Sequence, residues 1–209
     1  GGETAEMPGF YPDGEYDIAG FAVGAVDRRQ IVDGSKIRPG DAVIGLASSG
    51  LHSNGYSLAR KALCEEGGFL LSDIPEGLDR SLGEEMLEPT RIYVKPVLSL
   101  MKHVEVLGMS HITGGGLVEN PPRILPPATS MRLCVNTWRR PRIFDIISRT
   151  AGVEREEMFR VFNMGIGFLV ITRGKDAERA VDFLMGHGED ARIIGEIVAG
   201  DGRVEFEGV

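Results

Sequence analysis

Short apolar runs rich in β-branched residues alternate with stretches of helical period along residues 38–209, and this alternation restricts the chain to a layered fold of sheet and helices. "AVIGLASSG" (42–50), "VEVLGMSHIT" (104–113), "MRLCV" (131–135), "VFNMGIGFLVIT" (161–172) and "ARIIGEIVAG" (191–200) read as strands. Between them, residues 54–68 place Leu58, Ala59, Ala62 and Leu63 at helical spacing, and residues 140–152 do the same with Ile143, Phe144 and Ile147 behind Pro141. Residues 88–103 align Ile92, Val97, Leu100 and Met101, with Pro96 expected to kink or split the helix. Residues 176–188 form a further helix with Asp176 as its expected cap. "LVEN" makes one short turn of helix stopped by Pro121 and Pro122. Ahead of all this, "IAGFAVGAV" (18–26) reads as a strand, and the turn-rich "DGSKIRPGD" (33–41) as a domain boundary. The expected division is therefore 1–37 and 38–209.

A chain of 209 residues with 42% hydrophobic content can bury a real core. Its net charge of −8 and lack of a Lys/Arg block argue against a nucleic-acid partner, since neutralising phosphates takes clustered cations. Uninterrupted apolar stretches such as Phe168–Ile171 are far too short to span a bilayer, and no signal peptide opens the chain, so a soluble, cytoplasmic protein without a membrane partner is expected. Cys64 and Cys134 form no CxxC pair; neither a disulfide framework nor a zinc site is expected.

Four segments combine glycine with hydroxyl, amide, imidazole or carboxylate groups: "GGETAEMPG" (1–9), "SSGLHSNGYS" (48–57), "HITGGGLVEN" (111–120) and "FNMGIG" (162–167). Two of them fall between a strand and a helix, where free backbone N–H groups favour an anion and glycine lets it approach the main chain. A close-approaching anionic ligand is the expected reason for Gly114, Gly115 and Gly116; ordinary turn formation is the alternative. Neither a Walker loop nor GxGxxG is present. His52 and His111 each follow a strand and suit substrate binding or proton transfer near neutral pH, and neither is expected in the apolar core. Glu3, Glu6 and Glu119 are loop carboxylates that could share Mg²⁺ with a polyphosphate.

"GGETAEMPG", "ASSGLHSNGYSLARK", "PTRIYVK" (89–95), "HITGGGLVENPPRILP" and "MFRVFNMGIGF", in this order along nearly the whole chain, resemble the C-terminal two-thirds of the phosphoribosylformylglycinamidine cyclo-ligase (aminoimidazole ribonucleotide synthetase) family. The resemblance implies an α+β fold: a layered mixed-sheet C-terminal domain (38–209), preceded by a remnant (1–37) of the N-terminal, barrel-forming domain that binds ATP and dimerises. It also implies the family's reaction, in which ATP activates the formyl oxygen of formylglycinamidine ribonucleotide, the amidine nitrogen closes the ring, and ADP and phosphate leave. Carried over by position, Ser49, Gly50, His52, Ser53, Asn54 and Gly55 would meet the ribotide. His111, Thr113, Gly114, Gly115 and Gly116 would line the reacting end, with His52, His111 and Thr113 as the catalytic set. Thr4, Glu119 and Asn120 would face ATP, and Glu3 would hold Mg²⁺. The full-length protein would be a cytoplasmic homodimer.

Two departures accompany the resemblance. The family's "DGVGTK"-like Mg²⁺-ATP loop lies outside this chain, so the 209 residues alone are expected to be inactive, and Leu51 stands where relatives often have proline. Rival readings are another enzyme of the superfamily, such as selenophosphate synthetase or thiamin-monophosphate kinase, and a non-catalytic phosphate- or ribotide-binding domain.

Overall fold

Six strands make one sheet in the computed structural model, which describes residues 3–208. They are β1 (Asp41–Ala47), β2 (Val106–His111), β3 (Thr129–Cys134), β4 (Ile166–Arg173), β5 (Ala191–Ala199) and β6 (Val204–Glu207). Their order across the sheet is β2-β4-β1-β5-β3-β6. All neighbours run antiparallel except β3 and β6, so the sheet is mixed. Antiparallel sheets commonly leave one face to solvent. Here both faces of the central strands are covered, which is why β1 and β4 read as near-continuous apolar runs rather than as alternating ones.

Seven helices supply the covering layers: α1 (Tyr56–Arg60), α2 (Leu82–Met86), α3 (Val94–Leu100), α4 (Gly116–Glu119), α5 (Arg142–Ala151), α6 (Arg155–Val161) and α7 (Ala177–Gly186). One apolar cluster joins Val43, Leu133, Leu169, Ile171 and Ile197 of the sheet to Ala59, Leu117, Phe144, Ile147, Met158 and Phe159 of α1, α4, α5 and α6. On the other face Ile44, Leu46 and Val170 pack against Val97 and Leu100 of α3 and Ala180 and Leu184 of α7. Successive residues Val43 and Ile44 thus belong to different clusters, as the two-residue period of a strand requires.

Several local expectations shift. Pro96 does not split α3; it is the third residue of the helix, where its missing N–H would have had no partner within the helix. The helix after residue 55 opens as α1 and continues in π form over Lys61–Glu66. Asp176 precedes α7 but makes no side-chain cap, its carboxylate instead meeting Arg179 at 3.0 Å. Helix α6 lies in residues to which no element was assigned from sequence, save Val161 at the start of the expected strand, and β6 went unread because its four residues show an exposed, alternating edge.

The chain divides into two compact units, Gly1–Ile31 and Val32–Val209. The second unit begins six positions before residue 38 because Val32 and Ile37 pack onto its apolar clusters. In the first unit the residues expected to form a strand over 18–26 have no ladder partner among the described residues, and Ile18, Phe21 and Val23 are exposed. A strand needs a neighbour to satisfy its backbone, and apolar alternation alone does not create one. Asp27 caps a single turn of 3-10 helix at Arg28–Gln30, accepting the Arg29 N–H. Among the described residues no helix is long and apolar enough to cross a membrane.

Candidate functional site

Strand β4 is flanked by β1 and β2, and both neighbours leave the sheet at the end where β4 enters it. Ala47 pairs with Ile166, and His111 with Phe168. The loop after β1 (48–55) and the loop after β2 (112–116) are therefore brought to the same edge, although about 60 residues separate them in sequence.

The first loop is fixed from below by Asn163, which is 1% exposed. Its Oδ1 accepts the Ser48 hydroxyl (2.9 Å) and the Gly165 N–H (2.8 Å), and its Nδ2 donates to the Gly50 carbonyl (2.8 Å). Next, His52 and Ser53 both take a left-handed backbone, φ +55, a conformation that costs free energy for residues other than glycine. Asn54 steadies that turn by donating its side-chain amide to the His52 carbonyl at 2.6 Å.

The second loop hangs on Asn120. Its Oδ1 accepts the Thr113 N–H (2.6 Å) and its Nδ2 donates to the Gly114 carbonyl (3.1 Å). Asn120 is 3% exposed, so the residue expected at ATP is instead buried and committed to the loop. The glycines themselves divide. A Cβ on Gly116 (φ +53) would stand 2.7 and 2.8 Å from the carbonyl oxygens of Phe162 and Arg160, and closer still to that of Phe159. The missing side chain is replaced by the C-terminal turn of α6, not by a ligand. Gly115 (φ +104) is crowded by Asn120 and Glu119, 3.0 Å from its Cβ position. Only Gly114 is open, its nearest neighbour being Asn54 Oδ1 at 4.0 Å. That last distance shows the two loops meeting. Gly55, expected at the ribotide, likewise has its Cβ position filled by Phe162 and Val161.

Between the loops lies Gly167, whose carbonyl accepts the Ile112 N–H at 2.9 Å. A Cβ here would be 2.6 Å from Cε1 and 3.0 Å from Nδ1 of His52, and nearer still to the Tyr93 hydroxyl. This bare stretch of β4 seats His52 and Tyr93. Tyr93 donates to the Ala47 carbonyl at 2.8 Å, and its ring lies 5.3 Å from Phe168 and 6.2 Å from both His52 and His111. Outward from His111 and Phe168, an apolar cleft of about 470 Å³ continues along Ile92, Leu98 and Met109.

The two histidines differ. His52 is 2% exposed, contrary to the expectation that it avoids the core. Burial, with His111 and Arg91 nearby, pushes its pKa down to about 4. His111 is exposed at the end of β2, and the burial of part of its ring holds its pKa below the ordinary histidine value. Both are neutral at pH 7, and His111 is the one a solute can reach. Burial raises the pKa of Tyr93, which stays a neutral hydrogen-bond donor.

The loops carrying Ser49, Gly50, His52, Ser53 and Asn54, and Thr113 and Gly114, thus leave the sheet at one end and meet where Asn54 approaches Gly114. Glu119 is exposed on α4. Glu3 and Thr4 are exposed residues of the first unit. No three His, Cys, Asp or Glu side chains converge to hold a metal ion among the described residues. The site also depends on Tyr93, Asn163 and Gly167, to which no role was assigned from sequence. The available signal was "FNMGIG": an asparagine and two glycines at the mouth of an otherwise apolar strand.

Comparison with known proteins shows the family. The sequence profile described as "AIR synthase related protein, C-terminal domain" matches residues 38–207. The phosphoribosylformylglycinamidine cyclo-ligase of Myxococcus xanthus is 54% identical over 202 residues, 97% of this chain and 59% of that protein. Those of Carboxydothermus hydrogenoformans and Bacillus thuringiensis (strain Al Hakam) are 55% and 53% identical over 204 and 208 residues, covering 98% and 100% of this chain and 59% and 60% of theirs. The chain spans about three-fifths of the length of these relatives. Among solved structures, thiamine-monophosphate kinase from Stenotrophomonas maltophilia K279a superposes with TM-score 0.57 at 15% identity, covering 88% of this chain and 55% of that one. The hydrogenase maturation protein HypE does so with 0.53 at 20%, covering 83% and 51%. At these identities the likeness is one of fold.

Proposed function

The chain belongs to the family of AIR synthase related proteins, as their C-terminal domain, and from that premise we propose that it is the ribotide-binding part of an ATP-dependent cyclo-ligase. The reaction is closure of formylglycinamidine ribonucleotide to aminoimidazole ribonucleotide, with ADP and phosphate released, in purine biosynthesis. Identities of 53–55% to cyclo-ligases across nearly the whole chain support the reading. The observation that carries it is the meeting of the two glycine loops over Gly167. A ring closure must hold one substrate at two places and align an internal nucleophile, a task of positioning more than of covalent catalysis.

In this proposal Ser49, Gly50, Ser53 and Asn54 face the ribotide, and Thr113, Gly114 and His111 face its reacting end. Neutral and accessible, His111 can take the proton released as the amidine nitrogen attacks. Gly55, Gly115 and Gly116 shape the loops, and Tyr93 and Phe168 keep the floor apolar. ATP, when bound, supplies the phosphoryl group that turns the formyl oxygen into a leaving group. Thr4 and Glu119 would lie toward the nucleotide. Glu3 would contribute one oxygen to a Mg²⁺ whose other ligands come from the nucleotide or from protein outside this chain. A cytoplasmic homodimer of the longer protein completes the proposal.

The test is ADP release in the full-length protein, with and without the ribotide. Ribotide-dependent release is expected, falling about 100-fold or more in kcat/KM for His111→Ala, with circular dichroism unchanged because the side chain is exposed. Release that ignores the ribotide, or His111→Ala at wild-type kcat/KM, would overturn the assignment. The 209-residue chain alone should release none.

A further inference from the structure

Two backbone N–H groups aim at the same nitrogen of the buried His52: that of Ser49 at 3.0 Å and that of Arg91 at 3.4 Å from Nε2. A backbone N–H can only donate, so Nε2 must present its lone pair and the ring's single proton must sit on Nδ1. Ser49 Oγ also lies 3.0 Å from Nε2 and 2.7 Å from the Pro89 carbonyl; with Nε2 bare, its hydroxyl proton can turn to Nε2 as a third donor to the same lone pair. Nδ1 is buried against Gly167 with no acceptor among the described residues, so its N–H goes unpaired there, a cost that the contacts at Nε2 offset. The groups facing the ring are His111 at the end of β2, Tyr93 before α3, and Arg91 and Glu88 in the segment leading to α3. Arg91 is itself anchored, to the Glu189 carboxylate at 3.0 Å and the Gly188 carbonyl at 2.9 Å.

We propose that His52 is a positioning residue that works only as the neutral Nδ1–H tautomer, its Nε2 lone pair clasping the amides of Ser49 and Arg91 and thereby locking the loop after β1 to the segment before α3. Protonation of Nε2 would set a third N–H against two others and open the clasp. The clasp also accounts for the left-handed backbone of His52 and Ser53: the turn is held in an unfavourable conformation because its side chain is gripped from two segments. His52 then shapes the ribotide loop and transfers no proton, a division of labour with His111 that rests on the cyclo-ligase reading.

Imidazole nitrogen spectra of protein labelled with ¹⁵N-histidine decide the tautomer independently of any activity. The His52 signal, identified by its loss in His52→Gln, should show a protonated Nδ1 and a bare Nε2, without titrating between pH 5.5 and 8. A His52 that charges in this range, or carries its proton on Nε2, would overturn the proposal. Kinetics of ribotide-dependent ADP release in the full-length protein decide the role. His52→Gln can put an amide oxygen where Nε2 was, and should keep kcat within about threefold with an unchanged pH profile. His52→Leu leaves both amides without an acceptor and should raise KM for the ribotide about tenfold or more, acting less on kcat. A folded Gln variant as impaired in kcat as the Leu variant would show that the imidazole moves a proton. Absence of ribotide-dependent release from the wild type would remove the cyclo-ligase reading while leaving the spectroscopic answer standing.

Discussion

Replacing single glycines of the "GGG" run by alanine separates what the fold demands from what a ligand demands. Gly116→Ala places a methyl group against the carbonyls of Phe159, Arg160 and Phe162, which are backbone atoms at the end of α6 and just beyond it and cannot swing aside as a side-chain end could. The left-handed φ of +53 adds its own penalty. Taking about 1–2 kcal/mol for a non-glycine residue in that conformation and about 1–3 kcal/mol for inserting a methyl into a packed interior, the loss is about 2–5 kcal/mol. For a domain of this size each kcal/mol lowers Tm by about 2–4 °C. Gly114→Ala meets nothing closer than Asn54 Oδ1 at 4.0 Å and has no positive φ to oppose it, so its stability should stay within about 0.5 kcal/mol of wild type.

Urea denaturation followed by circular dichroism measures both variants, and the midpoint should fall for Gly116→Ala at an unchanged m-value. Activity should order them the other way. Gly114→Ala, folded and stable, should raise KM for the ribotide in the full-length protein, because the only open glycine of the three is where a ligand can reach the main chain. Equal midpoints for the two variants would refute the division of the glycines. A Gly114→Ala protein with wild-type KM would remove ligand approach as the reason for that residue.

Asn120→Ala should cost about 1–3 kcal/mol, since the Thr113 N–H and the Gly114 carbonyl both lose their buried partner; a urea midpoint within error of wild type would show the loop holds itself. The pH dependence of stability should carry the mark of His52. Folded, it binds its proton only near pH 4, whereas an unfolded histidine binds one near 6.5, so acid favours the unfolded chain. The contribution is complete above pH 6.5, is lost as pH falls toward 4, and amounts to about 2 kcal/mol by pH 5. The drop in urea midpoint between pH 7 and 5 should therefore be smaller in His52→Gln than in wild type, and an equal drop would refute the low pKa.

Strands β1 and β4 were legible in sequence because each is buried on both faces and so leaves a near-continuous apolar run, and α5 and α7 because each buries one stripe of apolar residues. The segment 18–26 has the same composition and no ladder partner; pattern records what a segment could bury, whereas a strand also needs a neighbour for its backbone. The site divides along a similar line. Glycine-rich loops after β1 and β2 could be found by composition, but which glycines serve the fold could not, because the atoms that fill the places of Gly55 and Gly116 come from residues 159–162, far along the chain. Tyr93 is the sharpest case. In sequence it is one more apolar residue at the head of an amphipathic helix, and nothing local distinguishes it from Ile92 beside it. Its place between the two histidines exists only because β4 is bare at Gly167, so that a hydroxyl from one face of the sheet and an imidazole from the loop above can occupy the volume of one absent side chain. A glycine in a central strand weakens that strand and is expected where something must approach the backbone closely. At Gly167 the approaching groups are Tyr93 and His52, and the two loops of the site are held in register through them.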